Sequence, residues 1–586
     1  MVASAPNGWK WLMIRRNLFK RVLLSSLFLS SSIFVQVSEA QLGFSASDAV
    51  APDPVQKVLL EGRRLESDER WGEALSHYEE AVRRYPQNNQ LKQLVSLTRM
   101  RFDLDRRYAD QSYVDALQQL SEQQAMDLFS EVILKIQSHY VRSPDWNDLL
   151  RRGTKELEIA LKDQDFVSVN RVQVSPVTRD QLTHQIQNVL NDRRLTDRQH
   201  AEEMVRWIAR YSARQLGISS TPIILEYMCG ATNSLDTYST YLTGDQLDDV
   251  YSQIEGNFVG LGVELKADEG ALLIAGVIAK GPAESAGIKA GDRIVAVDGV
   301  STRDLSTDRA ADLLKGEQGS TVQVTVVSPD LAPRLITVRR DRVEVPSVED
   351  VKMADAASGV AYFRISSFQK TTSRDVDAAL WKLHRDGMRS LIVDVRGNPG
   401  GLLTEAVEVA DRFVVDGTIV ATHGRSAREN YDYKAHRVGT WRVPLVVLID
   451  SDSASASEIF AGAIRDHRRG TVVGIRSYGK GSVQGIFPLR SVKGGVRLTT
   501  AKFFSPSGQA ISLRGVTPDV VIQSTAKPVE GVVADNESED AVMKAGVKVA
   551  QNLVVMRDRG SRQDQSSTQQ TQASRQPRRL PQTLGW

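Results

Sequence analysis

Three short stretches in the second half of the chain hold the residues whose types and spacing could do chemistry. The first, Ser451-Asp452-Ser453-Ala454-Ser455-Ala456-Ser457-Glu458, follows the apolar run "VPLVVLI" and precedes the helix-like "IFAGAIRDH". Ser455 with Glu458 three residues on has the spacing of a capping box, which satisfies orphan amides at a helix start. The same place suits a nucleophile, because backbone N–H groups and the helix dipole there can stabilise an oxyanion. In the second stretch, "DVRGNPGGLL", Gly397, Gly400 and Gly401 stand between a strand and a helix. They read either as a plain turn or as a backbone surface that offers an amide to a carbonyl. In the third, "RSYGKGSVQG", Lys480 lies between Gly479 and Gly481, and Gln484 follows four residues later.

A serine hydroxyl is a poor nucleophile until a neighbouring base takes its proton. No histidine sits in a suitable loop: His467 falls at a charged helix end, and His423 and His436 belong to a polar segment. A lysine can replace histidine when desolvation lowers its pKa toward neutrality, and the glycines beside Lys480 allow the close approach that desolvation requires. A solvated Gly-Lys-Gly turn is the plainer alternative. A phosphate-binding loop is excluded, since Gly481 stands where that motif needs a hydroxyl after Gly474 to Lys480. Spacing alone leaves Ser451, Ser453, Ser455 and Ser457 equally open as nucleophile.

These stretches need a scaffold, and 586 residues are too many for one core; about three or four domains are expected. Lys+Arg total 74 and Asp+Glu 72, so a net charge of +2 gives no field for polyanions and nucleic acid is not an expected partner. The single cysteine, Cys229, excludes an internal disulfide and a cysteine zinc cluster; beside Gly230 it reads as packed. The eight histidines show no HExxH-like spacing. At the N-terminus, Lys10, Arg15, Arg16, Lys20 and Arg21 precede the apolar "VLLSSLFLSSSIFVQV" and the small residues Ser38-Glu39-Ala40. Residues 1–40 thus read as a secretory signal, which places the protein in the periplasm or cell envelope; membrane association is expected only if that signal stays uncleaved.

Residues 41–54 read as a linker. In residues 55–120 the pattern Gly62, Leu65, Ala74, Tyr78, Ala81, Pro86 resembles one tetratricopeptide hairpin, whose small residues let two helices approach closely. A lone repeat cannot bury its faces, so it must dock on following helices, on an adaptor or on a second copy. Helical spacing continues through 121–255, making residues 55 to about 245 all-helical by expectation. At Asn257 the period changes: residues 256–342, with "GPAESAGIKAGDRIVAVDG" and a helix near 306–315, resemble a PDZ domain. On that resemblance Gly260, Leu261, Gly262 and Val263 present amides to a terminal carboxylate while the peptide adds as an edge strand. Residues 343–535 alternate strands and helices as an α/β core, 536–559 form a C-terminal helix, and the Gln- and Ser-rich 560–586 form a disordered tail.

In this order after the PDZ-like segment, "RGNPGGLL", "SASASEIFAGA", "YGKGSVQ" and "SPSGQAISLRGVTPDVVI" closely resemble the carboxyl-terminal processing proteases, or tail-specific proteases. The likeness runs from about residue 125 to 550 and includes "DTYSTYLTGDQLDDVYSQIEGNFVGLGVEL". It implies that Ser455 is the nucleophile, Lys480 the general base and Gln484 the residue that orients the lysine. The amides of Gly401 and Ala456 would form the oxyanion hole, with Glu458 supporting the site from behind. The implied protein is an exported serine endopeptidase with a Ser-Lys catalytic pair that takes protein substrates with free, apolar C-termini; the resemblance implies neither a metal nor an organic cofactor. The rival is a catalytically inactive PDZ and tetratricopeptide scaffold, which has no need to keep Ser455, Lys480 and Gln484 together. The hairpin, the segment 163–200 and the tail lie outside the shared pattern.

Overall fold

The computed structural model describes residues 2–3, 54–268, 271–303, 313–329, 331–436, 438–522 and 540–573. The expected signal and linker lie outside these residues except for Val2–Ala3 and Pro54, as does most of the helix expected near 306–315. The described residues fall into two compact units, one holding those of 2–3, 107–259 and 342–573, the other those of 54–106 and 260–341.

In the second unit, helices Pro54–Ser67 and Trp71–Arg84 bury a small core of Leu75, Tyr78, Ala81, Leu91 and Val95. A Cβ on Gly62 would come within 2.3 Å of the Tyr78 ring, so only glycine lets that aromatic lie flat between the helices. Residues 260–341 form an antiparallel sheet in the order 263–268, 271–277, 293–297, 321–327, 334–339. Strand Thr321–Val327 alternates buried and less buried positions, as its Val-x-Val-x-Val pattern demands, and contributes Val322, Val324 and Val326 to the core. Strand Val263–Asp268 lies at the sheet edge.

The first unit joins a helical region to an α/β core. Its helices include Trp146–Ala160 and Thr221–Asn233, which cross at Gly153 and Gly230: a Cβ on Gly230 would lie 2.6 Å from Gly153 Cα. Cys229 is buried beside this crossing and burial pushes its thiol pKa up, so it is packed and unreactive. The expectation of an all-helical region to about residue 245 fails at Thr240–Leu242, which pairs with Gly495–Phe504 as a strand. Its β-branched and aromatic residues suit a pleated surface, and the sheet edge supplies the partner that a helical reading of the sequence leaves out.

The core sheet has the order 348–355, 360–365, 390–394, 445–449, 471–474, 520–521, parallel beyond the first pair. Strands Ser390–Asp394 and Leu445–Ile449 are buried at every position, which is why they read as unbroken apolar runs. Helices Thr372–Arg385, Leu403–Asp411 and Ala456–Asp466 contribute to the core on one face. Helix Ala541–Ala573 covers the other, setting Val542, Met543, Ala550 and Leu553 against Val360, Ile392, Val446 and Val473. This helix runs to Ala573, so residues 560–573 are helical where the composition predicts a disordered tail. Gln and Arg keep good helix propensity even where no core can form. A second sheet is built from Ser482–Pro488, Gly495–Phe504, Thr418–Gly424 and Tyr431–Lys434, with Val2–Ala3 between Gly401–Leu402 and 482–488.

An alanine at an ordinary helical glycine stabilises by about 1 kcal/mol. Gly230→Ala should instead cost about 2 kcal/mol through overpacking, because its neighbours are backbone atoms that cannot step aside. Urea unfolding of the full chain, read as a shift in midpoint at constant slope, checks the sign.

Candidate active site

Strand Leu445–Ile449 ends in the turn Asp450–Ser453, and the chain then enters helix Ala456–Asp466 through Ser455, held at φ 57° and ψ −112°. A non-glycine residue with positive φ is strained, at a cost on the order of 1–3 kcal/mol, and persists only when its surroundings fix it. The hydroxyls of the neighbouring serines are already committed. Ser453 Oγ donates to Val395 O at 2.8 Å, and Ser457 Oγ donates to Asn398 O at 3.0 Å. Ser451 is only partly buried. Ser455 and Glu458 do occupy capping-box positions, and Glu458 Oε2 accepts from the Ser455 N–H at 2.8 Å, but the fully buried Ser455 Oγ has no hydrogen-bond partner.

The glycine loop lies against this helix start. Asn398 Nδ2 donates to Ile365 O and its Oδ1 accepts from the Gly400 N–H, while Asn398 O accepts from the Ala454 N–H. Gly400 and Gly401 have φ of 109° and 138°. A Cβ on Gly400 would lie 2.8 Å from Ser455 Cβ and 3.0 Å from Ala456 N, so the loop can approach the helix start only as glycine. Ala456 is the first residue of the helix, where an N–H has no intrahelical acceptor.

Lys480 is 1% exposed, and its Nζ also lacks a hydrogen-bond partner. Gly479 at φ 93° and Gly481, whose Cβ would meet Ser512 N at 2.3 Å, give the backbone room to bring the lysine inside. Burial above all, and then the charge of Arg497, lower the lysine pKa well below its usual value; Glu458 and Asp236 act the other way. Gln484 is fully buried, donates from Nε2 to Ser482 Oγ at 2.9 Å and leaves Oε1 without a partner. No hydrogen bond joins Gln484 to Lys480, or Lys480 to Ser455, in this structure.

Glu458 ties the helix start to the lysine loop. Its Oε1 accepts from Ser477 Oγ and the Gly479 N–H, both at 2.6 Å, and its Oε2 accepts from the N–H groups of Lys480 and Ser455, both at 2.8 Å. All four bonds are accepted and none donated, the pattern of a carboxylate, although burial pushes its pKa up against those donors.

In the other unit, Gly262 has φ 79°, Leu261 is buried, and the carbonyls of Leu261 and Gly262 accept from Ala283 and Ile278. Gly260 and Val263 flank this turn, with Val263 opening the edge strand. Residue type and spacing do not mark Tyr238, whose ring centroid lies 4.6 Å from Lys480 Nζ, nor Asp236, Ser477 and Arg497. The only sequence signal was that residues 236–239 fall inside the quoted "DTYST" stretch; nothing in their spacing tells that they reach a lysine 242 residues later.

Residues 359–522 match the model of peptidase family S41, and residues 273–328 that of the PDZ domain. The chain is 37% identical over 301 residues to a carboxy-terminal-processing protease of Bartonella bacilliformis, across 50% of this chain and 68% of that protein. It is 35% identical over 268 residues to a carboxyl-terminal-processing protease of Synechocystis sp., across 45% of this chain and 62% of that protein. A solved structure of a photosystem II D1 C-terminal processing protease aligns over 68% of this chain and 92% of its own, at 26% identity and a TM-score of 0.37.

Removing the Glu458 carboxylate strands four donors, each worth about 1–3 kcal/mol when left unsatisfied. Glu458→Ala should therefore lose at least about 3 kcal/mol of stability, and Glu458→Gln, which keeps one acceptor oxygen, an intermediate amount. Denaturant unfolding of both variants measures the order.

Proposed function

The chain belongs to peptidase family S41, among the carboxy-terminal-processing proteases, and from that premise we propose that it is an exported endopeptidase using Ser455 and Lys480 as a catalytic pair. The observation that carries this reading is the set of orphaned atoms: Ser455 Oγ, Lys480 Nζ and Gln484 Oε1 are all buried without partners. Each unsatisfied buried group costs about 1–3 kcal/mol, a cost that an inactive scaffold has no reason to keep three times in one place.

In acylation, neutral Lys480 takes the Ser455 proton as Oγ bonds to the scissile carbonyl carbon and the carbonyl π electrons move onto oxygen. The N–H groups of Gly401 and Ala456 receive that oxyanion, aided by the positive end of helix Ala456–Asp466. As the tetrahedral adduct collapses, the C–N bond breaks and the lysine ammonium gives its proton to the leaving amine. Water then attacks the acyl-enzyme, with Lys480 again accepting a proton. Gln484 Oε1 is a ready acceptor for that ammonium once substrate closes the site. Glu458 holds both halves of the pair from behind.

Substrate selection is assigned to the PDZ domain. Gly260 to Val263 would present amides to a terminal carboxylate, and edge strand Val263–Asp268 would pair with the tail. The helix pair 54–84 is read as a tetratricopeptide-like surface for an adaptor or a second copy, and residues 1–40 as the signal that takes the protein to the periplasm or cell envelope. Among the described residues no helix is long and apolar enough to cross a membrane. The boundaries 55–120, 121–255, 256–342, 343–535 and 536–559 are kept as the proposed domain division.

Ser455→Ala should abolish cleavage of a tail-bearing reporter, whereas Ser451→Ala should cleave normally; wild-type turnover by Ser455→Ala would reject the nucleophile.

Lys480→Met should also be inactive yet more stable than wild type. The unfolded lysine is protonated below about pH 10.4, while the folded one is held neutral down to a depressed pKa. Wild-type stability therefore rises with pH between those two values, and the advantage of Lys480→Met should shrink as pH rises, which melts across pH will show. The acylation rate of wild type should rise with pH along one limb lying well below the ordinary lysine value.

C-terminal amidation removes the charge and part of the acceptor capacity that the loop at Gly262 would bind. An amidated reporter should be cleaved at least about tenfold more slowly than its free-acid form at subsaturating concentration. Equal rates would reject recognition of the chain end.

A further inference from the structure

Lys480 must become an ammonium during acylation, yet no hydrogen-bond acceptor contacts its Nζ. What faces it instead is an aromatic ring: the centroid of Tyr238 lies 4.6 Å away, within the range where a cation is attracted to a π face. The backbone that carries the ring is held firmly. Asp236 Oδ1 accepts from the N–H groups of Tyr238 and Ser239, both at 2.8 Å, which fixes the turn. Arg497 Nε donates to Tyr238 O at 3.1 Å, and Ser239 Oγ accepts from the Thr499 N–H at 3.2 Å. Tyr238 thus comes from the helical region but is clamped to strand Gly495–Phe504 of the second sheet.

We propose that Tyr238 is a positioning residue of this site, whose ring face receives the ammonium that Lys480 becomes when it takes the Ser455 proton. The inference rests on the base role proposed for Lys480 and adds what stabilises the charge formed there. In a serine site with histidine, a carboxylate stabilises the protonated base. Here the nearby carboxylates Glu458 and Asp236 favour the ammonium through space but make no hydrogen bond to Nζ. Glu458 spends its oxygens on four donors, and Asp236 Oδ1 is bound to its own turn. Arg497 repels the ammonium. An aromatic face solves a problem that a full charge beside the lysine would create: a carboxylate salt bridge would keep the free lysine protonated and useless as a base. A quadrupole attracts the ammonium weakly enough for burial to keep the resting amine neutral, and still lowers the energy of the charge once it forms.

Besides the phenol of Tyr238 itself, which Tyr238→Phe removes while keeping the ring, the groups that face Lys480 and titrate or carry charge are Glu458 of helix Ala456–Asp466, Asp236 of the 234–239 turn and Arg497 of strand Gly495–Phe504. None of them is altered by a substitution at Tyr238, so the pH profile isolates the ring. The experiment is single-turnover acylation of a tail-bearing protein reporter by the full chain, measured against pH. Tyr238→Leu and Tyr238→Met fill the space with apolar atoms but offer no π face. Both should lower the alkaline plateau about tenfold and move the acid limb about one unit toward lower pH, because the ammonium has lost the aromatic face that stabilises it. Tyr238→Phe, which keeps the face, should restore both plateau and limb. Using two fillers guards against one that fails to fold, and thermal melts identify it.

A limb that stays in place in both fillers would overturn the inference, as would one that moves to higher pH, since the ring would then act only by excluding water. Tyr238→Phe as impaired as the fillers would overturn it too, by assigning the effect to the hydroxyl. These outcomes are separable from failure of the underlying reading: an active Lys480→Met removes the base and this inference together, whereas an unmoved limb with Lys480→Met inactive removes only the role of Tyr238.

Discussion

One buried carboxylate holds the site together. Glu458 accepts from the backbone of Ser455 on one side and from Ser477, Gly479 and Lys480 on the other, so a helix start and a loop 22 residues further on share one acceptor. The geometry of the helix end supplies the reason it can do so. Glu458 is the third residue of helix Ala456–Asp466, and a side chain there can reach back toward the preceding residue as in a capping box. In an ordinary capping box the serine hydroxyl would return the bond. At Ser455 the positive φ is instead fixed by Glu458 from one side and by the Gly400 loop from the other, and the hydroxyl stays unpaired. The strain is held by the hydrogen bonds behind it, which is how a costly local conformation can survive in a folded protein.

The same logic governs the lysine. Its burial follows from backbone, because Gly481 passes so close to Ser512 that no Cβ would fit, and Gly479 lies tight against Leu513 at a φ of 93° that favours glycine. The amide N–H of Lys480 is satisfied by Glu458, whereas its amine is left without an acceptor, so the structure fixes the main chain and leaves the side-chain nitrogen unbonded. A site arranged to be most stable would pair all three orphaned atoms. This one instead pairs Ser453, Ser457, Ser477 and Glu458 beside them.

Much of this was legible in the sequence, for reasons that differ by residue. The fully buried strands of the core declared themselves as apolar runs, and the alternation in Thr321–Val327 marked a half-buried strand. The glycines beside Lys480 correctly signalled a close approach. The choice of serine was not legible from spacing, because what distinguishes Ser455 is where its neighbours' hydroxyls go: Ser453 and Ser457 bond to carbonyls of the loop 395–398, some 60 residues earlier in the chain. Strand Thr240–Leu242 was missed because three residues carry no usable period, and only the distant edge of Gly495–Phe504 makes them a strand. The extension of the C-terminal helix to Ala573 was missed because composition reports the absence of a core, and helix propensity can persist without one.

The position of Tyr238 has a consequence for how the enzyme is assembled. The part of the core that matches the protease family begins at residue 359, yet the ring facing the lysine belongs to residue 238, whose segment is tied to the core by the bond from Arg497 to Tyr238 O, the bond from Thr499 to Ser239 and the pairing of Thr240–Leu242 with Gly495–Phe504. Between them the chain leaves at Gly256 and returns at Val345, where the Val345 N–H donates to Gly256 O at 2.8 Å. The departure and return points are therefore adjacent, and the intervening module can be accommodated without separating Tyr238 from the core. Loop-closure entropy grows only slowly with the length of an insertion, so a pairing fixed at its base costs little more for enclosing a whole domain than for enclosing a loop. The helical region is thus tied into the α/β core rather than appended to it: residues 238–242 bond to strand Gly495–Phe504, and the Tyr238 ring they carry lies over the Lys480 amine.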